Sequence, residues 1–503
     1  MSFVSFKFIV FISTTFVLYF IFPKKYQWFV LLLFSYIYYY LNSKSLILVL
    51  IFSSIFTYIM GKLIYKEENN RKKKILEISS IVIILSSLIL TKYINFIIEN
   101  INSIFSRNIE NLNLLLPLGI SYYTLQAISY IVDIYKGKTD PEENILHFML
   151  YMAYFPQIIQ GPIARYNKLA KQFFEEHNFD FIRIMHGLQL MAYGIAKKII
   201  LADRLAVPVS YIFNNYKDFN GLFIIFGAAC YGFQIYADFS GGIDTIRGIS
   251  EIFGIDLEIN FRQPFFSKSI EEFWRRWHIT LGAWMRDYIF YPLTLSKKFN
   301  NFGKKVKRIL GDFIGKRTAA FISMFIVYLL VGLWHGPEWK YVAYGIWNGI
   351  FIMNSLLLEN VYKKAKNSMK INDNNKFWKI LQIFRTFIIV SIGRIISRSN
   401  SLTDAIKMIK LIFYKTFDFS LFNIKTLVLL GLDKANWLLC LVAIIIILFI
   451  DYLKEKGIDI RKNIDNKNIV IRWCLYYLLI IAILVFGKYG PGYDAANFIY
   501  GNF

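Results

Sequence analysis

Ser269 to Tyr291 reads SIEEFWRRWHITLGAWMRDYIFY, and the rest of the chain is organised around it. Ser269 followed three residues later by Glu272 has the pattern of a capping box, so a helix is expected to start there. Wound as one helix, Trp274, Trp277, Leu281, Trp284, Met285 and Tyr288 share a face, while Arg275 and Arg286 share a second. His278 falls at the edge of the aromatic face, on the side of the arginines. Three tryptophans, three arginines and a histidine within thirteen residues suit an interfacial helix, with Trp among headgroups and Arg reaching to lipid phosphates. A reactive site is the sharper alternative, and it requires a second histidine elsewhere.

Outward from this stretch, the chain reads as membrane protein. Its 503 residues are 56% hydrophobic, with 48 Phe and 34 Tyr. Apolar runs of spanning length recur, which favours one polytopic membrane domain over several soluble ones. The net charge of +24 sits in the loops between those runs. That is how cytoplasmic loops meet anionic lipid, so membrane lipid is the expected partner and nucleic acid is not. Cys230, Cys440 and Cys474 lie in or beside apolar runs without metal-ligand spacing. They read as packing residues, and no metal site is expected. Residues 1–22 carry only Lys7 ahead of a long apolar run and no small-residue cleavage pattern, as in a retained first span.

The first four spans are expected near 4–22, 26–41, 45–65 and 75–95. The loop from Lys66 to Lys74 holds five basic residues. Placing it inside puts Lys24 and Lys25 inside and the N-terminus outside. From Ile120 to Tyr236 the apolar runs are broken by Gln126, Asp133, Pro156, Gln157, Gln160, Gly161 and Pro162. Breaks at membrane depth persist only where protein or a water-filled cavity satisfies the backbone. Short, tilted or re-entrant helices around an internal chamber are therefore expected. Tyr236 to Asp244, YADFSGGID, repeats the theme, and Asp238 there reads as a chamber residue or as a helix-end carboxylate among headgroups. Residues 262–317 hold thirteen Lys or Arg against four acids and belong inside. Further spans are expected at 319–334, 339–358, 377–397, 436–451 and 468–487, with 398–435 a possible surface hairpin. No internal repeat relates the halves.

The second histidine is His335, which ends an apolar run in LLVGLWHGP, where Gly336-Pro337 stops the helix. A histidine there is also a fitting partner for a helix C-terminal dipole. Neutral imidazole is the side chain that takes a proton from a hydroxyl near neutral pH. His278 and His335 are fifty-seven residues apart, a spacing compatible with two elements facing one chamber.

FWRRWHITLGAWMRDYIFYPL with VGLWHG downstream resembles the membrane-bound O-acyltransferases, most closely their alginate O-acetyltransferase and teichoic-acid D-alanyl-transfer branch. PLGISYYTLQAISYIVDIYKG, FPQIIQGPIARY, YADFSGGIDTIRG and the ending NFIYGNF are similar to the polysaccharide-acetylating members. Where relatives often carry a Gly-Gly turn after Tyr291-Pro-Leu293, this chain reads Thr294-Leu-Ser-Lys-Lys298. The resemblance implies an all-α, polytopic fold of about eleven to thirteen membrane helices, with re-entrant and interfacial helices around a central tunnel. It implies one membrane domain over 1–503, made of N-terminal spans (1–95), a catalytic core (117–358) and C-terminal spans (377–503). It makes the chain a multi-pass enzyme of the bacterial plasma membrane. That enzyme moves an acyl group, acetyl foremost, from a cytoplasmic thioester to a cell-surface polysaccharide.

On that resemblance His335 corresponds to the principal catalytic histidine and His278 to the second. For the developing oxyanion, His278 and the Trp N–H groups are both candidates. Trp274, Arg275, Trp277, Arg286, Trp334 and Asp238 are the candidate substrate-binding residues, the two arginines for donor phosphates. No permanently bound cofactor is expected; acetyl-CoA or an acyl-carrier thioester serves as donor substrate. No stretch outside the apolar runs is long enough for an extracellular domain that grips a polymer. An extracellular or membrane-anchored partner of the serine-hydrolase-like (SGNH-type) acyltransferase kind is therefore expected. D-alanyl transfer towards teichoic acid from a carrier protein is the alternative chemistry. A secondary transporter is the alternative class.

Overall fold

The computed structural model of the chain describes residues 1, 3–414 and 423–489. Among these residues the fold is all-helical. The four N-terminal helices fall where the apolar runs place them: Phe6–Ile21, Gln27–Ser43, Ile47–Lys66 and Asn70–Leu88. The N-terminal ammonium bonds the Asn42 side chain, whereas Lys24 bonds Asn178 at 2.5 Å. The turns at 43–46 and 22–26 thus lie at opposite ends of the bundle, with the N-terminus at the former.

Seven helical stretches are long and apolar enough to cross a membrane, or eight if Trp339–Leu357 and Glu359–Ser368, bent by 61°, form one span. This is fewer than eleven to thirteen for identifiable reasons. One of the seven, Lys24–Lys66, contains two helices, Phe6–Ile21 is just too short, and the core is built from short pieces. Those pieces are Ile120–Tyr135, Ile145–Ala153, Tyr166–Phe174 and Phe181–Ala196, joined by the non-helical stretch around Pro156 to Pro162 where breaks were expected. Lys297–His335 is also less simple than a span, because it turns back on itself at Gly311 (φ 82°), bringing Gly303 against Gly315.

YADFSGGID does not break a helix. It lies within Gly221–Ile252, a continuous 32-residue helix buried along most of its length. The glycines serve close packing instead. A Cβ on Gly194 would lie 2.4 Å from the Gly241 carbonyl oxygen, and one on Gly248 2.4 Å from that of Gly187. Two glycines seven residues apart on Phe181–Ala196 thus face two on Gly221–Ile252, and the backbones touch, as small residues permit between membrane helices.

The region near 398–435 is not a surface hairpin either, as far as it is described. Leu402–Tyr414 packs on the core with Ala405 and Met408 fully buried. Its Asp404 accepts a bond from Tyr216 Oη at 3.0 Å. Residues 415–422 and the motif NFIYGNF lie outside the described residues.

Gly194→Val and Gly241→Val should each destabilise the chain by about 1–3 kcal/mol, the usual cost of overpacking. Thermal unfolding of detergent-extracted protein measures this. Gly282→Ala, whose added carbon meets only the Trp274 carbonyl oxygen at 3.8 Å, should cost nothing measurable.

Candidate active site

The helix opened by Ser269 ends within two turns. Ser269 Oγ accepts the Glu272 N–H at 3.1 Å, and the Glu272 carboxylate reaches back to the Lys268 N–H at 2.8 Å. Helix Ile270–Arg276 then stops at Trp277, which is extended (φ −109°, ψ 127°) and forms an antiparallel bridge with Phe261. His278 follows in the left-handed region (φ 50°, ψ 53°), and a second helix, Ile279–Met285, starts after it. The single wheel of Trp and Arg is therefore broken in its middle. The cause is a neighbouring strand-like segment: the Arg262 N–H bonds the Arg276 carbonyl at 2.9 Å, and the Ile279 N–H bonds the Asn260 carbonyl at 3.0 Å.

Asn260 fixes His278 as well as its backbone. Its side-chain oxygen accepts the Thr280 N–H and the Thr280 Oγ1–H, both at 3.0 Å, and meets His278 Nδ1 at 3.3 Å. A backbone N–H only donates, so the atom at this point is the amide oxygen, and His278 Nδ1 must carry the proton. The lone pair of the imidazole is then on Nε2. Both Asn260 and His278 are buried.

His335 ends the helix Lys297–His335, where the Gly336 N–H caps back to the Leu333 carbonyl at 3.1 Å. The Lys92 ammonium donates to the Trp334 carbonyl at 2.9 Å and to Ser121 Oγ at 3.1 Å. Tyr93 Oη donates to the Leu333 carbonyl at 2.8 Å. A cation on the last carbonyls opposes the negative end of the helix dipole and holds the turn that presents His335. The Trp334 ring packs edge-on against both histidines, 5.6 Å from His278 and 5.2 Å from His335 between ring centroids. Trp334 is only 6% exposed, and its indole Nε1–H has no acceptor among the described residues.

Two cavities approach these rings. One of about 890 Å³ is lined by Trp274, Arg275, Trp277, His278 and Arg286. A small one of about 20 Å³, room for one water molecule, is lined by His335, Trp277, Tyr344 and Arg394. Trp277 is common to both. At the mouth of the larger cavity Arg275 pairs with Glu271, and Arg286 pairs with Asp287 at 3.2 Å, both in exposed positions. Arg276 is held by Glu272 at 2.7 Å and Glu455 at 2.6 Å. Trp274 donates from Nε1 to Asn348 at 3.3 Å.

The structure thus gathers seven of the eight predicted site residues and leaves one out. Asp238 lies inside the Gly221–Ile252 helix, buried and bonded to Lys198 at 2.6 Å, and lines neither cavity. Three residues not singled out in the sequence belong at the site: Asn260, Lys92 and Arg394, whose buried guanidinium lies 5.4 Å from the Trp277 ring centroid. Lys92 and Arg394 had a signal, each being a cation inside an otherwise apolar run. Asn260 had none.

Fold and rings define a multi-pass membrane protein with a buried two-histidine centre. The family model of the membrane-bound O-acyltransferases matches residues 143–397. A probable alginate O-acetylase of Pseudomonas syringae is 34% identical over 63% of this chain and 56% of its own length. A peptidoglycan O-acetyltransferase of Helicobacter pylori is 30% identical over 78% of this chain and 73% of its own. A teichoic acid D-alanyltransferase of Streptococcus thermophilus is 29% identical over 56% and 67% respectively. The chain belongs to the membrane-bound O-acyltransferase family, and it is an acyltransferase by that membership.

Asn260→Leu should strand the buried Thr280 N–H and lower stability by about 1–3 kcal/mol, read as thermal unfolding in detergent. Asn260→Asp keeps the acceptor oxygen and should recover part of the loss. Equal melting of wild type and Asn260→Leu would show that the three bonds hold nothing.

Proposed function

We propose that this chain moves an acyl group, acetyl foremost, from a thioester to a hydroxyl, for O-acylation of a cell-surface polysaccharide. The donor enters at the end carrying the basic loops, and the acceptor enters at the His335 end. The observation that carries this reading is the row of rings His278, Trp334 and His335 between a wide cavity and a small one. The basic loops lie inside and the N-terminus outside, on the charge distribution of the loops.

Each group has one task. His335 takes the proton of the attacking hydroxyl as the new C–O bond forms. As the C–S bond breaks, the imidazolium returns that proton to the departing thiolate, so the products are an ester and a thiol. The oxyanion needs a donor. We assign that role away from His278, whose Nδ1 proton faces Asn260 and whose Nε2 then accepts. Trp334 Nε1–H, buried beside both imidazoles, supplies it. His278 Nε2 accepts a hydrogen bond from the donor chain or the incoming hydroxyl. Trp274 and Trp277 wall the thioester arm, and no cofactor is held between turnovers. Arg275 and Arg286 take the donor phosphates. Their exposed ion pairs are worth at most about 1 kcal/mol and give way to a phosphate without large loss.

Acetyl-CoA is the first donor. A carrier-borne donor, including D-alanyl, is the second reading, favoured by one feature near the same end. At the turn by Gly311, Ile309 and Leu310 are 81% and 58% exposed amid Lys304, Lys305, Lys307 and Arg308, a surface suited to an acidic protein with an apolar patch. The polymer is held by a partner at the outer face near residues 334–339, an SGNH-type acyltransferase that receives the acyl group and places it, because orientation supplies much of the rate.

His335→Ala should abolish transfer in liposomes while the protein stays monodisperse; wild-type turnover in that variant would overturn the assignment. Trp334→Phe keeps a ring and removes the N–H, and kcat should fall by about 10²-fold or more with KM little changed. Arg275→Gln and Arg286→Gln should raise the KM for donor and leave that for acceptor. Loss of membrane yield alone would make them lipid anchors.

A further inference from the structure

A third cavity, of about 570 Å³, lies next to the wide one, between the Phe181–Ala196 and Gly221–Ile252 helices and the last two described spans, Lys434–Glu455 and Ile469–Phe486. It shares Arg262, Gln263 and Lys454 with the wide cavity. We propose that it binds one phosphate-headed amphiphile, an anionic phospholipid from the leaflet that the basic loops face.

Charge and shape carry this together. The lining holds five cations, Lys197, Arg247, Arg262, Lys454 and Arg461, against three carboxylates. Lys197 is satisfied by Asp244 at 2.7 Å, and Arg461 by Glu251 at 2.7 Å. Among the described residues, neither the Arg262 guanidinium nor the Lys454 ammonium has a carboxylate within ion-pairing distance. Lys454 instead lies 5.5 Å from the Tyr193 ring centroid. With Glu251 counted beside the three lining carboxylates, five cations face four, and the surplus of one suits a phosphodiester.

A free anion would want a wholly polar mouth, and this one sets aliphatic side chains beside the exposed Arg262, Lys454 and Asp459. Ile259, Ile458 and Leu475 line it and are 46%, 38% and 41% exposed. Leu475 and Leu479 come from Ile469–Phe486, a helix with no buried residue, which therefore faces lipid. Exposed cations beside an open hydrocarbon wall match a headgroup with its chains attached. The site stands independently of the acyl-transfer reading, because it touches neither histidine.

The test uses the full chain in nanodiscs of phosphatidylcholine with graded phosphatidylglycerol, then detergent release and native mass spectrometry. One phosphatidylglycerol should remain on each wild-type chain. Lys454→Gln should weaken retention about five-fold, the usual effect of one basic residue facing anionic lipid. Leu479→Trp, which fills the mouth without touching charge, should weaken it as well, with both variants melting like wild type. A variant that melts early is replaced by Leu475→Trp, at a partly exposed position. Inorganic phosphate and free coenzyme A should fail to displace the lipid. Equal retention of phosphatidylcholine, unchanged retention in the Trp variants, or displacement by inorganic phosphate would each overturn the proposal, the last by making this a free-anion site.

Discussion

A single buried amide oxygen organises the reactive end of the molecule. Asn260 Oδ1 collects the Thr280 backbone and hydroxyl donors and His278 Nδ1. Inside a membrane domain, an unmet N–H at this depth costs several kcal/mol. The segment around Asn260 takes the Arg276 carbonyl and so breaks the helix at Trp277 and His278, and Asn260 Oδ1 meets the Thr280 N–H that the break frees. That departure turns Trp277 into the wall shared by two cavities and turns His278 toward Trp334. The two half-helices on either side keep their own hydrogen bonds and carry the arginines to the cavity mouth.

Buried cations do the corresponding work elsewhere, and they cluster where helices widen. Lys92 sits in a π-helical turn, Ile89–Tyr93, and Lys197 and Lys198 begin another, Lys197–Ala202. The exposed Arg286 opens a third, Arg286–Phe290. An extra residue in the turn offsets the side chain from the ordinary helical register, and such turns recur at functional positions. Lys92 uses the offset to reach the end of the helix that bears His335. Lys198 uses it to bridge Asp203 at 3.0 Å and Asp238 at 2.6 Å. The second bridge gives Asp238 a partner within its own helix layer: a lysine ammonium at this depth needs carboxylates, and Asp238 and Asp203 supply them.

Much of this was legible in the sequence, because length and hydropathy of a spanning helix are local properties. Trp339–Leu357, Lys376–Arg398, Lys434–Glu455 and Ile469–Phe486 lie within a few residues of the apolar runs that announced them. The Gly336-Pro337 stop after His335 was legible for the same reason. The break at His278 was not, since φ 50° at a histidine is imposed by the segment around Asn260, far outside any helical window. Gly241 and Gly242 misled in the opposite way. Glycine marks both helix breaks and helix contacts, and only the facing Gly187 and Gly194 decide between them.

The wall of rings between the cavities also bears on the energetics of the cell. A membrane that stores free energy as an ion gradient tolerates no open aqueous channel wide enough for a thioester arm. Here the wide cavity ends on His278 and Trp277, and Trp334 closes the gap to His335. On the proposed reading the acyl group need only cross the thickness of an indole, while among the described residues hydrated protons and sodium meet aromatic faces there. On that reading the enzyme joins the chemistry of two compartments and stays an electrical insulator between them.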